Sequence, residues 1–322
     1  MIVSEEIDNE ASLANKRVLI TGADGMLGRA FQSVLASDYP STTVFARTRN
    51  QLDVTKRGDV LAEERQGIQV IVHCAADVDA DRSEQFPERC REIQVGGTAN
   101  VISLAKMCGA TVFYPQSFLI YGRSNGCVDE NTPPEPKSTY AVCKLEAEQL
   151  LLAAGIPSLV VRMGGFFGGE ERDKNFVGKF TRTLDKLMCE GIRTYAVGSR
   201  RWQPSFTEDL ARNSLSLLNK SQRGVWCMSG EGEASFHDVA RACVRLLHLE
   251  DRMEITAAKT SAVAAADVAP RPARVVMSNE KLKRTGLYCQ RYWQDALAEY
   301  LSRPWFEKLF RSVRSDRDSR HS

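Results

Sequence analysis

The sequence predicts a doubly wound α/β protein: a parallel sheet with helices on both faces, and a second, smaller α/β lobe. Three observations lead there. Short, β-rich apolar runs recur at Arg17 to Thr21, Thr43 to Ala46, Val70 to Cys74, Thr111 to Tyr114 and Ser158 to Arg162. Stretches of helical period separate them, at residues 26–36, 55–65, 87–107 and 138–154. A glycine-rich turn joins the first run to the first helix.

Each element follows from its residues. The strand runs are nearly all apolar rather than alternating, the pattern of strands buried on both faces. Strand-to-helix alternation at this spacing is that of crossover units, which place helices on both sides of the sheet. Beyond Gly164-Gly165 and Gly168-Gly169 the rhythm loosens, with helical stretches at residues 176–190, 207–219, 236–247 and 292–310. The expected organisation is a polar leader over residues 1–16, a first domain over 17–165, a smaller lobe over 166–310 and a charged tail over 311–322. Some segments of the smaller lobe are expected to rejoin the sheet.

Bulk properties exclude several classes. A net charge of +2 on 322 residues gives no electrostatic basis for a nucleic-acid partner. No apolar run reaches the ~18 residues of a membrane helix. The nine cysteines form no CxxC pair, and with the four histidines they offer no ligand spacing. Reduced thiols in the cytoplasm and no catalytic metal are the expectation.

Thr21-Gly22-Ala23-Asp24-Gly25-Met26-Leu27-Gly28 sets three glycines three apart between a strand and a helix. Such a turn brings backbone close to a diphosphate and aims free helix N–H groups at it, the arrangement of a Rossmann-type dinucleotide site. After the second strand come Arg47-Thr48-Arg49, with no acid until Asp53. An acid there selects a ribose hydroxyl, whereas guanidinium groups suit a 2′-phosphate. NADP(H) is therefore expected to be preferred, with NAD(H) possible.

Tyr140-Ala-Val-Cys-Lys144 puts a phenol and an ammonium one helical turn apart on one face. A nearby cation favours an ionised phenol, making it a usable acid or base near neutrality. Upstream, Ser117 ends the fourth strand and stands five residues before Gly122. This segment resembles the strand-end serine segment of extended short-chain dehydrogenases, and the resemblance implies that the Ser117 hydroxyl bonds a substrate oxygen and orients Tyr140. Ser117, Tyr140 and Lys144 are the expected catalytic set.

The glycine spacing, Ser117, the Tyr121-Gly122 pair and the Tyr140–Lys144 pair resemble the extended short-chain dehydrogenases over about residues 17–293. Within them the chain is most similar to the dTDP-4-dehydrorhamnose reductase group. That likeness rests on Ala75-Ala76-Asp77, Asp81-Arg82-Ser83-Glu84, Pro87-Glu88, Asn175-Phe176-Val177, Arg271-Pro272-Ala273 and Asn279 to Leu282. The resemblance implies reduction of a 4-keto group on a deoxysugar nucleotide by NAD(P)H. It further implies cofactor contacts at Gly22, Asp24, Gly25, Met26, Leu27 and Gly28, at Arg47, Arg49, Asp53 and Val54, at Ala75 and Ala76, and at Tyr140, Lys144 and Phe166. Ser117, Phe167, Trp202 and Arg271 are the substrate-side nominees, and a homodimer is the family's suggestion.

Three positions depart from the group's pattern: Pro115-Gln-Ser-Phe-Leu-Ile120 lacks its Thr-Asp pair, Gln94 stands for an Asn, and Cys143 for a Ser. Phe118-Leu119 cannot do the acid–base work of a sugar-nucleotide 4,6-dehydratase. A 4-epimerase of the same superfamily is the enzymatic alternative. A non-catalytic regulatory subunit resembling the methionine adenosyltransferase β-subunit is the alternative of another class.

Overall fold

A computed structural model describes residues 12–258 and 268–311. Strands β1 (Arg17–Thr21), β2 (Thr43–Arg47), β3 (Val70–His73), β4 (Thr111–Ser117), β6 (Ser158–Met163) and β11 (Gly224–Met228) form one six-stranded sheet in the order β11-β6-β4-β3-β1-β2. Every pairing in it is parallel. All five expected strands are present, and the sheet gains β11 from the second half, which rejoins at the edge beside β6.

Alternate residues of β1 explain why two helical layers are needed. Val18 and Ile20 enter one core with Phe31, Val34 and Leu215, while Leu19 enters the other with Val101, Leu104 and Leu151. The first core is closed by α1 (Met26–Asp38) and α8 (Thr207–Asn219), the second by α2 (Arg57–Ala62), α5 (Gly97–Cys108) and α6 (Thr139–Ala153). From β1 the chain winds outward to β2, then crosses to β3 on the other side. A crevice opens at such a reversal, outside the carboxyl ends of the two central strands.

The smaller lobe is built around a four-stranded sheet, β12 (Ala234–Ser235), β9 (Arg201–Trp202), β14 (Arg274–Met277) and β5 (Asn125–Val128), in that order. Two-stranded pairs β7–β10 (Phe166–Phe167 with Ser205–Phe206) and β8–β13 (Thr194–Val197 with Glu254–Ala257) complete it, with α7 (Phe176–Cys189) and α9 (Phe236–Leu246). The exchange runs both ways across residue 165: β5 comes from the first half, while α8 and β11 return to the large sheet.

Two segments differ from expectation. The stretch 87–107 is not one uniform helix: α4 (Pro87–Arg91) passes through a π-helical turn at Glu92–Gly96 into α5. The stretch 292–310 breaks into Trp293–Leu301 and Pro304–Leu309, because Pro304 lacks an N–H and Arg303 before it is extended at ψ 146. Part of the expected leader is anchored: Leu13 is buried, and its N–H bonds Asn219 Oδ1 at 2.8 Å. Its remainder, residues 1–11, and the tail over 312–322 lie outside the described residues. No helix among the described residues is long and apolar enough to cross a membrane.

Candidate active site

The glycine turn is tight for reasons that backbone contacts make plain. Gly22 has φ +64, and a Cβ there would lie 2.7 Å from Ala75 N. One at Gly28 would lie 2.4 Å from Gly22 O, so the helix start can close onto the turn only without a side chain. Ala23 N bonds Arg47 O at 3.0 Å, fastening the turn to the end of β2. The α1 N-cap, Gly25, contributes no side-chain cap, which leaves the first-turn N–H groups to an anion. Those features fit a dinucleotide diphosphate. Ala75 N bonds Thr21 Oγ1 at 3.2 Å, so the backbones after β1 and β3 are held together at the crevice. Beneath them His73 is buried between Thr21 and Thr98, and burial holds its pKa down at about 3, a neutral imidazole.

Around this turn the expected contacts sort by exposure. Asp24 and Gly25 are exposed, Met26 is half-buried, and Leu27 packs into the core. The loop after β7 crosses here, with Lys174 N on Met26 Sδ at 3.4 Å. Phe166 is half-buried and packs on the core that holds Leu27, facing this same loop end. Ala76 stays partly accessible.

The arginines after β2 are not equivalent. Arg47 forms a two-pronged pair with Glu63, Nε to Oε1 at 2.8 Å and Nη2 to Oε2 at 3.2 Å, so it is not the free guanidinium expected. Arg49 is 62% exposed and only loosely paired with Asp53, at 3.9 Å. The Asp53 carboxylate instead accepts from Thr55 N and Oγ1 at 3.0 and 2.8 Å, bonds that hold it below the usual carboxylate range. Val54 is core: its side chain is buried against Gly97, and its carbonyl accepts from Asn100.

The catalytic nominees meet at the carboxyl end of β4. Ser117 caps the short 3-10 turn Phe118–Tyr121, its Oγ accepting from Leu119 N at 3.2 Å. Across from it stands the buried Tyr140, in the first turn of α6, which Ser138 caps. Burial pushes the phenol up, a thiol at Cys90 adds to this, and only its hydrogen bond with Ser117 pulls it down. The expected tuning by Lys144 is not what this geometry displays. The Lys144 ammonium turns back onto Pro115 O at 2.7 Å and over the Tyr114 ring at 3.8 Å. Burial lowers it to about 7.

Four residues around Tyr140 were not expected as part of its surroundings. Asp77 is buried, held by Arg82 at 2.6 Å, and raises the phenol further. Gln94 sits in the π-helical turn, and its amide bonds Asp77 O at 2.7 Å, so the bulge serves the site. Cys90 and Cys143, both buried, hydrogen-bond one another between α4 and α6. The available signals were Asp77 following Ala75-Ala76 at a strand end and the departures from the group's pattern at Gln94 and Cys143.

On the substrate side two nominees change role. Phe167 is fully buried and packs on Phe206 and Tyr300, each with ring centres 5.5 Å away, so it is lobe core. Arg271 does not project freely; Nη1 and Nη2 grip both Asp81 carboxylate oxygens at 3.1 and 3.0 Å. Trp202 is buried among Phe176 and Phe236, and its edge closes on Gly165, where a Cβ would come within 2.6 Å. It borders the cleft without forming an open stacking surface.

A parallel sheet with a glycine turn at its switch point, and a serine, a tyrosine and a lysine gathered beside that turn, define an oxidoreductase of the extended short-chain dehydrogenase class. More narrowly, the chain belongs to the family described as RmlD substrate binding domain, whose model matches residues 16–304. It is 30% identical over 296 residues to a dTDP-4-dehydrorhamnose reductase of Mycolicibacterium smegmatis, covering 88% of this chain and 84% of that one. It is 27% identical over 259 residues to methionine adenosyltransferase 2 subunit beta of Bos taurus, covering 76% of this chain and 75% of the relative. Among solved structures, a dTDP-4-dehydrorhamnose reductase of Clostridium acetobutylicum superposes with a TM-score of 0.80 at 26% identity, over 88% of this chain and 98% of its own.

Proposed function

We propose that the chain reduces the 4-keto group of a deoxysugar nucleotide with NADPH, Tyr140 donating the proton that the carbonyl oxygen gains. The observation that carries this reading is the convergence of Ser117, Tyr140 and Lys144 beside the glycine turn, in a chain whose reductase relatives act on such sugars by name. When bound, the reduced nicotinamide supplies the hydride.

The chain's own groups do the rest. Burial keeps Tyr140 protonated, the state a donor needs. Ser117 bonds the carbonyl oxygen and keeps the phenol aimed at it. Lys144, released from Pro115 O, holds the ribose and offsets charge growing on the phenol. The α1 N-terminus and Gly22 to Gly28 take the diphosphate, and Phe166 covers the reacting end. Arg49, the exposed guanidinium, meets a 2′-phosphate, which favours NADP(H) over NAD(H). Nine free thiols suit a reducing compartment, and we place the protein in the cytoplasm.

The test is a panel of keto-sugar nucleotides incubated with NADPH or NADH and followed at the nicotinamide absorbance. Consumption of NADPH with a dTDP-4-keto-6-deoxysugar is the expected result. Interconversion of C4 epimers without net loss of NADPH would assign the epimerase instead. A second reading draws on the methionine adenosyltransferase relative: a nucleotide-binding subunit without turnover. No oxidation of NADPH on any member of the panel, with a larger enzyme co-purifying, would favour it.

A further inference from the structure

Tyr140, Lys144 and Glu148 are spaced four apart and so lie on one face of α6. The first two do chemistry in the proposed reaction; the third faces away from the cleft and is buried, at 1% exposure. A carboxylate there needs partners, since an unpaired buried charge is costly. Arg162, from β6 and itself buried, supplies Nη2 to Oε1 at 2.5 Å and Nε to Oε1 at 3.2 Å. The other arm of Arg162 donates to the Tyr121 hydroxyl at 2.7 Å.

One further side chain makes this pair more than a structural staple. The buried Gln116 amide donates to Glu148 Oε2 at 2.7 Å and to Lys144 O at 2.9 Å. Its own Oε1 accepts from Ser117 N at 2.8 Å. A single amide, oriented by Glu148, thus ties the backbones of Ser117 and Lys144 together across two elements. A planar amide serving all three contacts has one orientation available.

Electrostatics points the same way. The groups facing Lys144 are His73 and Cys74 at the end of β3, Tyr114 and Pro115 O on β4, Cys90 on α4, and Tyr140 and Glu148 on α6. His73 is neutral and unhelpful to a cation. Burial depresses Lys144, and Glu148 is the foremost influence holding it up.

We infer that Glu148 is a positioning residue of the reductase site, which sets the Ser117–Lys144 spacing through Gln116 and keeps Lys144 an ammonium by its charge one turn behind. This rests on the reading of Tyr140 and Lys144 as the proton-handling pair. Arg162 pairs with Glu148, so the buried carboxylate is stable while its charge still acts on the lysine.

The experiment titrates Lys144 directly, by NMR of the full chain carrying isotopically labelled lysine, with its resonance assigned by loss in Lys144→Met. Glu148→Gln should lower the midpoint by about one pH unit, a tenfold change in the ratio of ammonium to amine. The double variant Glu148→Gln/Arg162→Gln should return most of that shift, since both charges leave together. Arg162→Gln alone should raise the midpoint, and it keeps the test open should Glu148→Gln not fold. In turnover assays the alkaline limb of kcat should move with the midpoint while KM for the sugar nucleotide stays put. A midpoint unmoved in Glu148→Gln, or lowered as much in the double variant, overturns the inference. Absence of turnover in the wild type would instead count against the proposed reaction, and the NMR titration would still decide the role of Glu148.

Discussion

Arg271 grips Asp81 with both guanidinium arms, joining residues 190 positions apart in the chain. Asp81 also accepts from Ala269 N at 2.8 Å, and Ala269 is fully buried against Tyr140, Ala80 and Leu119. The segment 268–271 is therefore a strap over Tyr140, and α3 (Ala80–Gln85) is its anchor. Arg271 lowers the Asp81 carboxyl below its ordinary range, as expected of a carboxylate held by a bidentate guanidinium.

Asp81→Asn keeps the shape and removes the charge. Loss of a partly exposed ion pair of this kind should cost about 1 kcal/mol or less in stability. The larger effect should be kinetic: a KM for the sugar nucleotide raised roughly tenfold, as a loosened strap binds less well, and kcat changed less. Steady-state kinetics beside a thermal melt check this. Unchanged KM would detach the strap from substrate binding.

Cofactor choice should follow exposure rather than sequence order. Arg49→Ala should weaken NADPH relative to NADH by roughly tenfold or more, from the loss of a charged contact to phosphate. Arg47→Ala should have a smaller effect on that ratio and a larger one on stability, since it strands Glu63 at the sheet edge. KM ratios for the two cofactors in each variant distinguish the positions; equal effects would contradict the geometry.

Stability should carry the signature of Asp173, a fully buried acid whose carboxyl burial raises to about 6. Its folded value lies above its unfolded value, so the folded state binds the extra proton between about pH 4 and 6. The stability from this group is therefore full below that window and is lost as pH rises through 6. The difference amounts to about 3 kcal/mol. Asp173→Asn should abolish this component, so that the gap between wild type and variant changes across the window and is flat above it. Denaturant melts at pH 4.0 to 7.5, on the order of half-unit steps, provide the measurement.

The sheet was legible because buried parallel strands write themselves as apolar runs, as Val70 to His73 and Ser158 to Met163 do. The glycine turn was legible because Gly22 and Gly28 admit no side chain. The smaller lobe was not, because β9, β10 and β12 are two residues each and leave no period to detect. Gly224 to Met228 is apolar enough to read as a strand, but nothing local told that it would return to the large sheet.

Within the site, residue types pointed to candidate reacting groups but not to their partners. Arg47 and Arg271 looked like anion ligands, and long-range contacts with Glu63 and Asp81 decided otherwise. Phe167 carried no mark distinguishing a core ring from a cleft ring. The pairing of Glu148 with Arg162 and Gln116 needed three elements in space. Lys144 was expected beside the phenol, yet its ammonium lies on Pro115 O, since a buried cation needs a polar partner and the strand-end carbonyl supplies one.

The central claim is proton donation by the Tyr140 phenol, and Tyr140→Phe tests it most directly. With a turnover-competent keto-sugar nucleotide, single-turnover oxidation of NADPH should fall by roughly a thousandfold or more, the loss expected of a general acid aided by its neighbours. Binding of NADPH, read by fluorescence quenching, should stay within about threefold, since the glycine turn is untouched. Undiminished oxidation in the Phe variant would contradict the account.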